Sequence, residues 1–448
     1  MEAVLNAYTR FDSTINLVTR KIRTLRKYHG INQAELADII LSNADRISKI
    51  EQGHNNYTAE DLRLICVHFG IEDMPLSEID CKAFRKRLYM WRDLIRDKKF
   101  DEAQQWQKKM AAVVNLYPCD GDLPILYRLF EVAFLLYSES IDAAEEKLDY
   151  LRSIEDRMSV EHTYYFYYNQ GLLNYSKMQY EESLKFHTKA LKLVKQHKDF
   201  LPQDEGILLY NIATCYSNLE LPYHVILNIN KISRIYIEKQ TERFRLALDM
   251  TLALNYSKIG RFEEAQELLD ECLIMAKTLE DNICLASTLY NTGYTHMLMK
   301  SWEKAFEYFD EALQIFDEDS VYHYWGLYHQ IYIKIEHEKY SDVKKLFARA
   351  KTKYPLDEIP FKSLQYYLSV SKRMKSHYDY NKEAVEYMEN VTIPHFRSIH
   401  GDLEATNYCN LLEQYYENKT HRKFLAMAKI KGEIYNKMLF YSQGGSQV

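Results

Sequence analysis

Side chains that carry both a hydrogen-bond donor and an acceptor recur along the chain at intervals of about forty residues. Asparagine stands at four of these positions, and the intervals are nearly constant (211 − 169 = 42, 251 − 211 = 40, 291 − 251 = 40). The full register consists of Asn169, Asn211, Thr251, Asn291, His329 and Asn410. A carboxamide matches the C=O and N–H of a peptide bond, whereas its burial without partners is costly. The register therefore predicts a concave polar face that binds an extended peptide by its backbone. The alternative is that each side chain satisfies a neighbouring turn or carbonyl.

Motifs of the common enzyme classes are missing from the sequence. It contains no G-x-x-x-x-G-K-[ST], G-x-G-x-x-G, H-E-x-x-H or G-x-S-x-G segment, and its histidines lack metal-ligand spacing. The seven cysteines are scattered without a C-x-x-C pair, which is typical of free thiols in a reducing compartment. We therefore expect a protein that is not an enzyme and holds no metal or cofactor.

The recurring polar residues lie on a repeated pattern that predicts pairs of antiparallel helices. Its clearest copy, 283–316, places Gly293, Ala305 and Ala312 where two helices must approach closely. The residue that follows the turn recurs at intervals of 41, 39, 42, 40, 40, 38, 40 and 41, counted from Phe100. These positions are Phe100, Ile141, Tyr180, Pro222, Phe262, Trp302, Tyr340, Tyr380 and His421. A single hairpin cannot bury its apolar face alone, so the period predicts an all-α, right-handed solenoid of about nine hairpins.

Length and charge limit the remaining possibilities. The chain has 448 residues, too many for one ordinary core, and a net charge of −6. Nucleic-acid binding would therefore need a local surface, since no basic field covers the whole chain. No apolar run approaches the roughly 18 residues of a membrane span, and the N-terminus lacks the pattern of a signal peptide. We expect a cytoplasmic protein without membrane contact.

The first seventy residues have a different organisation, with short helices predicted at 13–29, 33–40 and 43–51 and a fourth after Thr58. Asn32 and Glu35 have the spacing of a capping box, and Gly30 and Gly53 end helices. The second and third helices are joined by a turn of about three residues. This layout is that of a helix-turn-helix domain.

The segments IRTLRKYHG (22–30), NQAELA (32–37) and ISKIEQG (47–53) resemble the Xre/Cro-like helix-turn-helix family. Leu41 departs from the family pattern, which usually has glycine there, so we expect an altered turn. The resemblance implies that DNA is contacted by Gln33, Asn43, Ala44, Asp45, Arg46, Lys49, Gln52 and Asn55. Lys49 would donate to guanine and Asp45 would accept from cytosine, while Gln33 and Arg46 would bind phosphates. The alternative is a solvated charged face.

The hairpins resemble tetratricopeptide repeats, and the segments LYNIA (209–213) and LYNTG (289–293) are similar to those of Gram-positive peptide-pheromone receptors. Together with the N-terminal domain, the chain resembles the RRNPP family, with NprR-like or arbitrium-type members nearest. The resemblance implies a transcription regulator that binds double-stranded operator DNA as a homodimer and is switched by a short signalling peptide. Expected boundaries are 1–72 for the DNA-binding domain, 73–81 for a linker, 82–440 for the solenoid and 441–448 for a disordered tail.

One enzymatic alternative stays open, because some relatives act on phosphorylated response regulators through a glutamine that positions a water. Gln104, Gln105 or Gln107 in the first hairpin could serve that purpose. Three glutamines on one amphipathic helix are more often surface residues.

Overall fold

The structure is a computed structural model that describes residues 19, 22–23, 26, 29–69, 78–97, 99–115, 122–198, 200–236, 242–374, 382–417 and 419–440. The regular elements within these ranges are all helical, as predicted. No helix in them combines the length and the apolarity that crossing a membrane requires. The predicted helix at 13–29 lies mostly outside the described residues, and the predicted tail at 441–448 lies wholly outside them.

The chain divides into two compact units, 1–208 and 209–448. The described helices of the first unit are α1 (Gln33–Ile39), α2 (Ala44–Glu51), α3 (Ala59–Phe69), α4 (Glu78–Arg96), α5 (Phe100–Asn115), α6 (Asp122–Tyr137), α7 (Ile141–Arg152), α8 (Val160–Ser176) and α9 (Tyr180–Gln196). A 3-10 turn (Glu155–Arg157) follows α7, and α10 (Pro202–Asn218) contains the boundary. The described helices of the second unit are α11 (Pro222–Tyr236), α12 (Glu242–Lys258), α13 (Phe262–Thr278), α14 (Asn282–Leu298), α15 (Trp302–Ile315), α16 (Val321–Glu336), α17 (Tyr340–Lys351), α18 (Ile359–Met374), α19 (Lys382–Tyr387), α20 (Ile393–Ser398), α21 (Asp402–Tyr416) and α22 (His421–Phe440), with a π-helical segment (Met388–Thr392) between α19 and α20.

The predicted turn positions coincide with the starts of the second helices of the hairpins. The residues at which the structure begins a second helix as predicted are Phe100, Ile141, Tyr180, Pro222, Phe262, Trp302, Tyr340 and His421. Tyr380 lies outside the described residues, and the helix of that hairpin is described from Lys382. The first hairpin begins at Glu78, inside the segment predicted as a linker. The prediction of repeated helical hairpins is confirmed.

Most of these turns use one left-handed residue placed two positions before the second helix. Met178 and Lys300 both have φ of 59°, and Gly260 has φ of 79° at the equivalent place. The N–H that follows then donates to the carbonyl five residues back, as from Ser301 to His296 O at 2.9 Å. This bond satisfies one of the carbonyls that a helix end leaves unpaired. The chain therefore reverses direction in a fixed geometry, although glycine is rarely present.

Small residues set the distance between paired helices. In α14 a Cβ added at Gly293 would lie 3.2 Å from both the Ala305 carbonyl oxygen and the Phe309 ring. Phe309 itself is fully buried. In the first unit Trp91 stacks on Tyr127 with ring centroids 5.3 Å apart. Burial of one such side chain stabilises the fold by about 1.5–3 kcal/mol.

Candidate functional site

The turn between α1 and α2 reverses at a left-handed residue, Leu41. Leu41 adopts a left-handed φ of 53°, and Ser42 N–H donates to Ala37 O at 2.8 Å. Leu41 thus occupies the backbone conformation that glycine would supply, with its side chain 86% exposed. A non-glycine residue can take this conformation for a modest strain energy, so Leu41 does not by itself require an altered turn.

Two of the predicted DNA-contacting side chains are used inside the N-terminal domain. Gln33 Nε2 donates to the buried Glu51 carboxylate at 2.8 Å, beside two hydrogen bonds from Arg26. The Arg46 guanidinium donates to Asp61 at 2.6 and 3.2 Å. These contacts give Gln33 and Arg46 internal partners, so the prediction that they bind phosphates now rests on the N–H groups that the carboxylates do not use.

The Asp61 carboxylate lies at the centre of a second capping arrangement. It accepts a hydrogen bond from Thr58 N–H at 2.7 Å, and Asp61 N–H donates to Thr58 Oγ1 at 3.2 Å. Burial alone would raise the pKa of Asp61, but the hydrogen bonds from Arg46 and Thr58 outweigh it and hold the pKa below its ordinary value. Asp61 therefore fixes the start of α3 against α2.

The remaining predicted contacts form an exposed face of α2. Asp45, Lys49 and Gln52 follow one another at i, i+4 and i+7, which places them on one side of a helix. Ile47 and Ile50 on the other side are fully buried. Ala44 and Asn55 are also exposed, whereas Asn43 caps the helix by accepting from Arg46 N–H at 2.9 Å. An exposed polar face on the second helix of this motif has the geometry to enter a DNA groove.

The polar register in the first unit is represented by Asn169, and its side chain is enclosed. Asn169 is 1% exposed, and its Nδ2 donates to Leu129 O, on the preceding hairpin, at 2.7 Å. This corrects the prediction that Asn169 lines an open groove. Its Nδ2 fits the alternative interpretation, in which the carboxamide satisfies a nearby carbonyl, while its Oδ1 is buried without a hydrogen-bond partner among the described residues.

In the second unit the register positions Asn211 and Asn291 have carboxamide groups that the fold does not use fully. Asn211 Nδ2 is buried without a hydrogen-bond partner among the described residues. Asn291 is half-buried, and within the described part of the chain its side chain makes no hydrogen bond. Thr251 differs, because its hydroxyl donates to Ala247 O at 2.8 Å within α12.

The last two register residues have partners. His329 is 4% exposed and stacks on Phe309, with Nδ1 3.1 Å from the Tyr290 hydroxyl. Asn410 is exposed and accepts from Lys431 Nζ at 2.9 Å. The structure therefore places all six register residues on the first helices of their hairpins but leaves unused hydrogen-bonding capacity at only some of them.

Sequence reasoning missed Glu404, which lies near this register in the second unit. The Tyr294 hydroxyl donates to Glu404 Oε1 at 3.4 Å, and His329 Nε2 is 3.7 Å from the same oxygen. Burial would raise the pKa of Glu404, but the facing His329 and a backbone N–H of its own helix turn keep the pKa below its ordinary value. In sequence Glu404 is an acid in the first turn of a helix, where the helix dipole alone explains it, so no signal singled it out.

Part of the hairpin array matches a known repeat family, and the chain as a whole is similar to a known regulator. Residues 244–318 match the family model of the tetratricopeptide repeat. The chain is 25% identical over 408 residues to the transcriptional activator NprA of Geobacillus stearothermophilus, covering 87% of this chain and 96% of NprA.

Two solved structures share the helical-hairpin fold. One is a Rap protein complexed with competence and sporulation factor, with TM-score 0.66, 16% identity, and coverage of 80% of this chain and 99% of the other. The second is NprR in complex with its cognate peptide NprX, with TM-score 0.62, 19% identity, and coverage of 79% and 99%. At these identities the likeness establishes the fold.

Proposed function

The chain belongs to the RRNPP family, and we propose that it is a cytoplasmic transcription regulator switched by a short signalling peptide. In this proposal the N-terminal domain binds operator DNA, and the hairpins bind the peptide through their first helices. A homodimer on a two-fold operator is the arrangement that suits a helix-turn-helix domain. The protein would act by binding and not by catalysis.

The observation that carries the proposal is the pair of unused carboxamides at Asn211 and Asn291. They occupy the same place on hairpins two repeats apart, and each offers donors and an acceptor to a peptide backbone. Leaving a carboxamide nitrogen buried and unpaired costs free energy, about 1–3 kcal/mol. A bound peptide would recover that free energy, since its carbonyl oxygens can accept from the amide nitrogens.

The exposed face of α2 supports the DNA-binding half of the proposal. Lys49 can donate to guanine and Asp45 can accept from a cytosine amino group, while the ion pair of half-buried Arg46 with Asp61 holds α2 against α3. Similarity to a transcriptional activator over nearly its whole length is in keeping with this role.

The direct test is selection of duplex DNA from a randomised library by the full-length chain, at stated salt, with and without peptide pools. We expect enrichment of a two-fold symmetric sequence, and a peptide pool that strengthens or abolishes the binding. Lys49→Ala should weaken binding by about 1–3 kcal/mol and relax the preference at one base pair per half-site. Arg63→Ala is the matched control, because it removes one exposed positive charge from α3 of the same domain.

Binding that is strong but equal for all sequences would overturn the proposal. The second candidate function would then be favoured, in which the protein antagonises a response regulator. This is the activity considered for Gln104, Gln105 and Gln107. Gln104 and Gln105 are exposed on α5, whereas Gln107 is half-buried and donates to Glu131 at 3.4 Å. The same preparation, tested for loss of phosphate from a phosphorylated receiver domain, would measure that activity.

A further inference from the structure

Glu404 differs from Glu220 and Asp402, two other enclosed acids of the second unit, in its charge partner. Glu220 accepts from Lys258 and Asp402 accepts from Lys437, both at 2.7 Å. Among the described residues, no lysine or arginine lies within 4 Å of Glu404, and its only ion-pair neighbour is His329, which is charged only when protonated. Its side chain is 16% exposed, so this carboxylate is largely removed from water. The charge of Lys258, which lowers the pKa of Glu404 from further away, is already paired with Glu220.

The polar atom that faces the Glu404 carboxylate is a ring nitrogen of His329. His329 Nε2 is buried and has no hydrogen-bond partner among the described residues, and it faces Glu404 Oε1 at 3.7 Å, too far for a hydrogen bond. When Nδ1–H donates to Tyr290, Nε2 and the carboxylate are both acceptors, and when the Tyr290 hydroxyl donates to Nδ1, Nε2–H faces the carboxylate. A group that supplies N–H donors would satisfy the carboxylate in both cases, and Nε2 as well in the first.

Aromatic rings enclose the same place. The carboxylate of Glu404 adds to the effect of burial in raising the pKa of several hydroxyls, those of Tyr290, Tyr294, Tyr328, Tyr332 and Tyr408. The rings of Tyr294 and Trp325 lie 5.5 and 6.4 Å from the His329 ring. A carboxylate among aromatic side chains is a chemical setting that attracts an ammonium or guanidinium group.

The site lies beside the proposed peptide-binding residues. Tyr294 is one helical turn after Asn291 on α14, and His329 is the register residue of the next hairpin. We propose that Glu404, with Tyr294 and His329, binds a cationic group of the signalling peptide and so selects for basic peptides. This inference rests on the proposed function and names the chemical class of its ligand.

The test compares pools of heptapeptides on the full-length chain. One set carries a single lysine at each position in turn, a second set carries norleucine there, and the other positions are randomised over uncharged residues. Each set is made with a free and with an acetylated N-terminus. Retention by the protein, measured by mass spectrometry, gives a ratio of lysine to norleucine peptides at each position.

For the unmodified chain we expect at least a tenfold preference for lysine at one position. Glu404→Gln should reduce that ratio below threefold. Glu413→Gln is the matched control, because Glu413 lies on the same helix, is 15% exposed and is already paired with Lys431. It should keep the tenfold ratio. Tyr294→Phe removes the hydroxyl but leaves the carboxylate charge, so it should also keep the preference.

The outcomes separate this inference from the proposed function. Equal retention of both sets that acetylation does not reduce would overturn the cation site and leave peptide binding intact, whereas retention of neither set would overturn the proposed function itself. Equal retention that acetylation reduces in both sets assigns the cation to the peptide N-terminus, and a lysine preference that persists on acetylated peptides assigns it to the side chain. If Glu404→Gln fails to fold, two measurements still test the cation site. One is the lysine ratio of the unmodified chain, and the other is that of Glu404→Asp, which keeps the charge and should keep a preference for lysine.

Discussion

The third hairpin (α8–α9) and the sixth hairpin (α14–α15) bring their helices together at the same register with different chemistry. Each has a glycine two residues after the register asparagine, facing the eighth residue of the second helix. The facing pairs are Gly171 with His187 and Gly293 with Phe309. Ser183 Oγ also donates to Gly171 O at 2.7 Å, whereas alanine stands at the equivalent position, Ala305. A polar contact and an apolar contact therefore support the same close helix crossing.

The asparagines of these two hairpins show what the difference means for function. Asn169 holds Leu129 O of the preceding hairpin, while Asn291 makes no side-chain hydrogen bond with the described residues. One repeat position thus serves the fold in one hairpin and is open in the other. Repetition identifies a position, and only the partners of the side chain identify its role.

The largest expected contrast concerns the two glycines. A Cβ at Gly171 would lie 2.4–2.6 Å from atoms of the His187 ring, which is 1% exposed and enclosed by its surroundings. Gly171→Ala should therefore lower the local free energy of unfolding by about 3 kcal/mol, as overpacking does. Gly293→Ala, whose nearest contacts are at 3.2 Å, should cost about 1 kcal/mol. Hydrogen exchange of residues 160–196 and 282–315 measures each change separately.

Gly432→Ala controls for helix propensity, since nothing lies within 4 Å of the added methyl group. It should stabilise α22 by up to about 1 kcal/mol. Equal effects of the substitutions at Gly171 and Gly293 would show that the third hairpin is no more tightly packed than the sixth.

The second contrast is in pH dependence. Burial lowers the pKa of His187 to about 3, against roughly 6.5 in an unfolded chain. Between these values the unfolded chain binds a proton that the folded hairpin does not, so stability is full above pH 6.5 and falls as the pH is lowered towards 3. At pH 5 the loss should be about 2 kcal/mol, or 1.5 pH units at roughly 1.36 kcal/mol each. The sixth hairpin has Phe309 at this place, so a contribution from that position is absent there. Burial also lowers the pKa of His296 on α14, so the sixth hairpin should lose stability in the same direction through that residue.

Hydrogen exchange of α8–α9 at pH 7.5 and pH 5, corrected for intrinsic rates, measures the loss. His187→Phe places in the third hairpin the residue that the sixth uses, and it should remove most of the difference between the two pH values. A loss that persists in this variant would assign the pH dependence to another group.

These two hairpins also show which features of the structure can be predicted from the sequence and which cannot. The forty-residue period predicted where Tyr180 and Trp302 begin their helices, because turns and small residues are local features. The period could not predict that Asn169 bonds to a carbonyl forty residues away, or that Gln33 and Arg46 turn to internal carboxylates. Such partners depend on packing between hairpins or helices, and residue spacing does not indicate which distant groups this packing brings together. Glu404 was missed for the same reason.

The third contrast uses the two asparagines. Asn169→Ala would leave Leu129 O without its donor in a buried place, so the local free energy of unfolding should fall by about 1.5 kcal/mol. Asn291→Ala removes no internal bond and should change stability by less than about 0.5 kcal/mol. It should instead weaken peptide binding by about 1 kcal/mol, roughly fivefold. Exchange rates and titration of the best-retained peptide measure the two quantities, and a peptide affinity unchanged by Asn291→Ala would remove this residue from the binding site.

The smallest effect concerns what the hairpins share. Met178 and Lys300 hold the same left-handed φ of 59°, a conformation that costs a side-chain-bearing residue about 1–2 kcal/mol. Glycine avoids this strain but loses about 0.5–1 kcal/mol more in chain entropy, so Met178→Gly and Lys300→Gly should each stabilise by about 0.5 kcal/mol. Lys304→Gly, an exposed position within α15, should instead destabilise by about 1 kcal/mol. Equal gains at the two turns, measured by the same exchange experiment, would mean that the turn geometry is independent of the side chains packed beside it. A gain in the sixth hairpin alone would mean that the His187–Gly171 contact already strains the third.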